Sequence, residues 1–78
     1  MPIKILIVDD EPSHRLMLRA HLKSDYEVSE AEDGLQAVQT VKKQFFDLVL
    51  MDIRMPGMDG LEALRRIKAI SPGIWYLS

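Results

Sequence analysis

Three aspartates could do chemistry together. Asp9 and Asp10 directly follow the apolar run Ile3–Val8, and Asp52 directly follows the apolar run Leu48–Met51. If those runs are adjacent parallel strands, all three carboxylates come to one rim of the sheet. Carboxylates so placed repel one another and raise each other's pKa unless a cation joins them. A hard, oxygen-seeking ion such as Mg²⁺ suits that place, held by one or two carboxylates, a carbonyl and waters. An aspartate beside such an ion can attack phosphorus to give an acyl phosphate, with the metal offsetting charge on the phosphoryl oxygens. An aspartate at a strand end or helix start is often only a cap, the reading taken for Asp33 and Asp59. Capping alone does not call for acidic residues on two separate strand ends.

The flanking pattern supplies the strands. Ile3–Val8 and Asp47–Asp52 are short and apolar on both faces, as interior parallel strands are. Tyr26 to Ala31 alternates polar and apolar residues, as an edge strand does. Between them lie helical patterns. One begins at Pro12 and ends near Ser24-Asp25, with Met17, Leu18 and Leu22 on its stripe. One opens at Asp33-Gly34, with Ala37, Val38 and Val41 inward and Lys42 and Lys43 in its last turn. A third runs from about Gly60 to Ile70, with Leu61, Leu64 and Ile67 inward and Glu62–Arg66 as an i, i+4 pair. Ser71-Pro72-Gly73 stops it, and Ile74–Leu77 opens a fourth strand. Strands alternating with helices indicate βαβ units, hence an α/β fold with a parallel sheet. Its expected order is 2-1-3, continuing to 4, with a site at the carboxyl ends of strands one and three.

Composition narrows the alternatives. The 78 residues, 47% apolar and 28% charged, suit one small soluble domain spanning residues 1–78. No run of about 18 apolar residues exists, which leaves no membrane-spanning helix. Ten basic residues against twelve acidic ones give a net charge of −2 and no reason to expect nucleic acid. The absence of cysteine removes disulfides, thiolate nucleophiles and Cys-built zinc sites, and fits a cytoplasmic protein.

Ile5-Leu6-Ile7-Val8-Asp9-Asp10-Glu11-Pro12, then Ala31-Glu32-Asp33-Gly34, then Asp47 through Gly60 resembles the receiver domain of two-component response regulators. The three motifs come in order and cover the chain to about Gly73. The resemblance implies a flavodoxin-like sheet of order 2-1-3-4 with three helices. It implies that Asp52 accepts a phosphoryl group from a histidine kinase, a phosphotransfer protein or a small phosphodonor. It further implies that Asp10, Asp52 and the Arg54 backbone carbonyl ligate Mg²⁺, with Asp9 acting through water. Met55, Pro56 and Gly57 would shape the loop after the phosphoacceptor, Gly57 supplying a backbone angle that other residues resist.

The chain departs from the family pattern in its last stretch. The family's fifth-strand lysine has no counterpart here, and its switch hydroxyl could correspond only to Ser78. Trp75-Tyr76 stands where receivers tend to carry proline and small aliphatics. These features suggest a receiver truncated or frameshifted after about Gly73, whose uncovered sheet would pair with a second copy. Two functions are compatible with this pattern. The first is a Mg²⁺-dependent phosphoacceptor, a signalling module and not a turnover enzyme. The second is a self-associating interaction module without phosphoryl transfer. His14 and His21, seven apart, lack zinc-clamp spacing and read as surface or packing residues. A calcium loop starting at Asp52 would lack its ligands at Arg54, Pro56 and Ala63, its third, fifth and twelfth positions. Met17 and Met51 read as core residues, and partner contact is only the minor alternative for Met55 and Met58.

Overall fold

Ile5, Leu6, Ile7 and Val8 are all buried, at 0–3% exposure, because their strand is covered on both faces. The computed structural model describes residues 2–54 and 59–78. The elements run β1 (Lys4–Val8), α1 (Pro12–Leu22), β2 (Glu27–Ala31), α2 (Gly34–Lys43), β3 (Leu48–Met51), α3 (Gly60–Ile70) and β4 (Trp75–Leu77). The strands are parallel in the order β2-β1-β3-β4, the order expected from the alternating pattern. Val8 aligns with both Ala31 and Met51, so β1, β2 and β3 end level. The residues just beyond each strand therefore share one rim.

The two faces are unequal. On one, Leu6, Val8, Ala31, Val49 and Met51 pack with Ala37, Val38 and Val41 of α2, with Ala63, Leu64 and Ile67 of α3, and with Phe46 and Ile74. Both helices begin at an aspartate cap. Asp33 Oδ1 accepts from the Gln36 amide at 2.8 Å and Asp59 Oδ1 from the Glu62 amide at 2.7 Å, each satisfying an otherwise orphaned donor. On the other face α1 lies over β1 and β2, burying Ile5 and Ile7. The register sets Leu48 and Leu50 of β3 beside Trp75 and Leu77 of β4 on that same face.

Two side chains depart from the expected helical stripes. Met17 was expected on the core face of α1, yet it is 53% exposed. The half-buried stripe is Arg15, Leu18, Arg19 and Leu22, and Met17 lies about 100° round the helix from Leu18, on the side away from them. Leu61 was expected inward on α3 and is 59% exposed. The buried stripe there is Gly60, Ala63, Leu64 and Ile67, a narrower i, i+3, i+4, i+7 set that leaves Leu61 on the flank. Met51, by contrast, is core, as expected.

Candidate functional site

The level ends of β1 and β3 place Asp9 and Asp52 in the wall of one solvent-open cavity of about 280 Å³. Leu18, Arg54, Leu77 and Ser78 also line it. Asp10 follows Asp9 on the same strand end and is exposed, outside that lining. Among the described residues, no three His, Cys, Asp or Glu side chains close on a point that could enclose a metal ion. The donor set instead offers two carboxylates facing a wet cavity. That fits a hard cation which keeps several waters and needs only one or two carboxylates. Met55, Pro56 and Gly57, the expected loop residues, and Met58 lie outside the described residues. Ser78, the candidate switch hydroxyl, shares the cavity with Asp52.

Asp52 is held from one side. Its Oδ1 accepts from the Arg54 amide at 2.9 Å and from Arg54 Nε at 3.5 Å, and both bonds leave Oδ2 free of them. The Arg54 amide is the main reason the Asp52 carboxyl lies below its ordinary value. Desolvation opposes that, and the Arg54 side chain and the charge of His14 add to it. Asp52 is therefore ionised at neutral pH, the state a nucleophile requires.

Asp9 is more tightly held. Its amide donates to the Ala31 carbonyl at 3.1 Å. Its Oδ1 accepts from the Glu11 amide at 2.9 Å, a local turn closed by the side chain. Its Oδ2 meets His14 Nδ1 at 3.2 Å, and its carbonyl accepts from Arg15 Nη1 at 2.6 Å. Arg15 Nε in turn donates to Glu30 Oε1 at 3.1 Å, and Arg19 Nε to Glu30 Oε2 at 2.5 Å. At Gly60 the start of α3 comes against the Ile53 backbone, its amide donating to the Ile53 carbonyl at 3.2 Å. An added Cβ there would lie 2.2 Å from the Ile53 Cα.

Residues 5–77 match the family model of the response regulator receiver domain. The chain belongs to that family. This receiver is 49% identical over 73 residues to the transcriptional regulatory protein ZraR of Escherichia coli K12, a match covering 92% of the chain but 17% of ZraR. A CheY-like response regulator receiver domain protein from Methanospirillum hungatei superposes with a TM-score of 0.94 at 31% identity, covering 97% of this chain and 62% of that one. Response regulator protein TrrA from Thermotoga maritima, solved in complex with Mg²⁺-BeF, gives a TM-score of 0.88 at 37% identity, covering 95% and 65%. TrrA has also been solved in complex with the histidine kinase ThkA. This receiver thus spans about a sixth of the curated relative and under two thirds of either structural one.

Sequence reasoning had found the aspartates of the receiver rim but not their supports. His14 is a surface residue, as expected, though its ring is directed at Asp9. Arg15 and Glu30 carried no motif, and Gly60 closed the third receiver motif without a role assigned to it. Only Gly60, a glycine immediately after a capping aspartate, offered a local hint of close approach.

Proposed function

We propose that this receiver is a phosphoacceptor, taking a phosphoryl group on Asp52 from a histidine kinase, a phosphotransfer protein or a small acyl phosphate. The observation that carries the reading is the pairing of ionised Asp52, its Oδ2 clear of the Arg54 bonds, with Asp9 across one solvent-open cavity. In the transfer an Asp52 oxygen forms the new O–P bond as the donor's P–N or P–O bond breaks, and the donor side keeps that electron pair. Mg²⁺ bound here would supply charge neutralisation for the phosphoryl oxygens. Asp10, Asp52 and the Arg54 carbonyl would hold it, with Asp9 acting through water. The Mg²⁺-BeF complex and the kinase complex of TrrA support that assignment of cofactor and partner by likeness. Such a module signals and does not turn over substrate, and a cysteine-free chain suits the cytoplasm.

Intact-mass spectrometry after incubation with Mg²⁺ and acetyl phosphate tests the reading. A single phosphoryl adduct is expected on the parent and none on Asp52→Asn. An adduct persisting on Asp52→Asn, or no adduct on a folded parent, overturns it.

The second reading, a self-associating interaction module, is favoured by β4. Trp75, Tyr76 and Leu77 are 76%, 50% and 61% exposed on a strand paired on one side only among the described residues. Unpaired strand edges carrying large apolar side chains recruit other chains. We propose a homodimer through this strand and the adjoining β3 face. Light scattering at micromolar concentration is expected to give a dimer mass that Trp75→Lys lowers to a monomer. A monodisperse parent monomer removes this reading.

A further inference from the structure

Asp9 is fixed at its amide, its carbonyl and both side-chain oxygens. The tie at its carbonyl reaches it from α1 and is anchored on β2. Arg15 is only 15% exposed, and its guanidinium engages two acceptors at once, the Glu30 carboxylate through Nε and the Asp9 carbonyl through Nη1. At 2.6 Å the second bond is short, as charge-assisted bonds are. A planar guanidinium can bridge two acceptors in fixed directions, and an ammonium cannot reproduce that fork. Glu30 is the anchor. Its carboxyl lies below the ordinary value, chiefly through the Arg19 bond, with burial opposing and Arg15 adding to the lowering.

We propose that Arg15 is a positioning residue for the receiver rim, clamping the Asp9 main chain to β2 through Glu30. The direction of the Asp9 carboxylate, and of Asp10 after it, then depends on a side chain that does not line the cavity. The functional part of this inference rests on the phosphoacceptor reading, whereas the clamp itself can be measured on the metal-free protein. The fold also supplies a matched control. Arg19 bonds the same Glu30 from the same helix, and none of its described bonds reaches Asp9.

The test compares Arg15→Gln, Arg15→Lys and Arg19→Gln with the parent. Amide hydrogen exchange at Asp9 and Glu11 is followed without metal, and Mg²⁺ affinity by titration calorimetry. Both Arg15 variants are expected to speed exchange at Asp9 and Glu11 and to weaken Mg²⁺ binding by about tenfold, the lower end for losing a residue that orients a ligand. Arg19→Gln is expected to leave both within about twofold, because its bond ends on Glu30 while the Arg15 bridge from Glu30 to the Asp9 carbonyl stays in place. Equal effects from Arg15→Gln and Arg19→Gln overturn the clamp, since general loosening of α1 would explain them. Full rescue by Arg15→Lys also overturns it. Faster exchange in the Arg15 variants of a parent that binds no Mg²⁺ sustains the clamp and overturns the metal-dependent reading instead.

Discussion

Gly60→Ala should destabilise this receiver although alanine is the better helix former. The substituted Cβ would sit 2.2 Å from the Ile53 Cα and 2.8 Å from its carbonyl carbon, against an ordinary contact of at least 3.4 Å. Relief requires one backbone segment to move by more than about 1 Å, because the obstructing atoms are main chain and cannot rotate away. Overpacking of this kind costs about 1–3 kcal/mol, and a clash with main chain belongs at the upper end. Alanine returns up to about 1 kcal/mol through helix propensity and a less disordered unfolded chain. The net loss is therefore about 2 kcal/mol, against a total of about 4–12 kcal/mol for a domain of this length. Urea titration followed by circular dichroism should show a lower midpoint at unchanged slope, and melting should fall by about 8–16 °C. On the phosphoacceptor reading, uptake of phosphate from acetyl phosphate should slow in the same variant, because Ile53 follows Asp52 directly. A midpoint equal to or above the parent's would refute the reasoning, since propensity would then outweigh the close approach.

Packing and charge give two further outcomes. Glu30 is held below its reference value of 4.5 by Arg19 and Arg15, so its stabilising contribution is present above that pH and is lost as pH falls through the lowered folded-state value. The urea midpoint of the parent should therefore drop more than that of Glu30→Gln between about pH 6 and about pH 3, and a constant gap would contradict the assignment. Ile67→Val, at a fully buried position, should cost about 0.5–1.5 kcal/mol, whereas Leu61→Ala, on the exposed flank of the same helix, should stay within about 0.5 kcal/mol of the parent. Equal costs in chemical denaturation would put the buried stripe of α3 in the wrong place.

Much of the fold was legible because it depends on local periodicity. The unbroken apolar runs of β1 and β3 mark interior strands, and Asp33 and Asp59 announce the helices they cap. The alternation of β2 marks an edge, and β2 does lie at one. Asp9, Asp10 and Asp52 were legible for a related reason, since a residue after a strand lands on the sheet's rim wherever the strand sits. Met17 and Leu61 were misread because a loose apolar stripe is compatible with more than one helix rotation. Only the neighbour decides which rotation is buried, and for α1 that neighbour is β1 and β2.

The sequence by itself determined the element order, the parallel sheet and the carboxylates at its carboxyl rim, because each arises from patterns within a few residues. The tertiary structure alone decided which of those carboxylates share a cavity, which flank of each helix is covered, and how the rim is braced. Arg15 meets Asp9 and Glu30, and Gly60 meets Ile53, through distances set by the packing of α1 on β2 and of α3 beside β3. Such contacts carry no local period. A guanidinium or a missing Cβ acquires its role only when folding brings a distant backbone within reach.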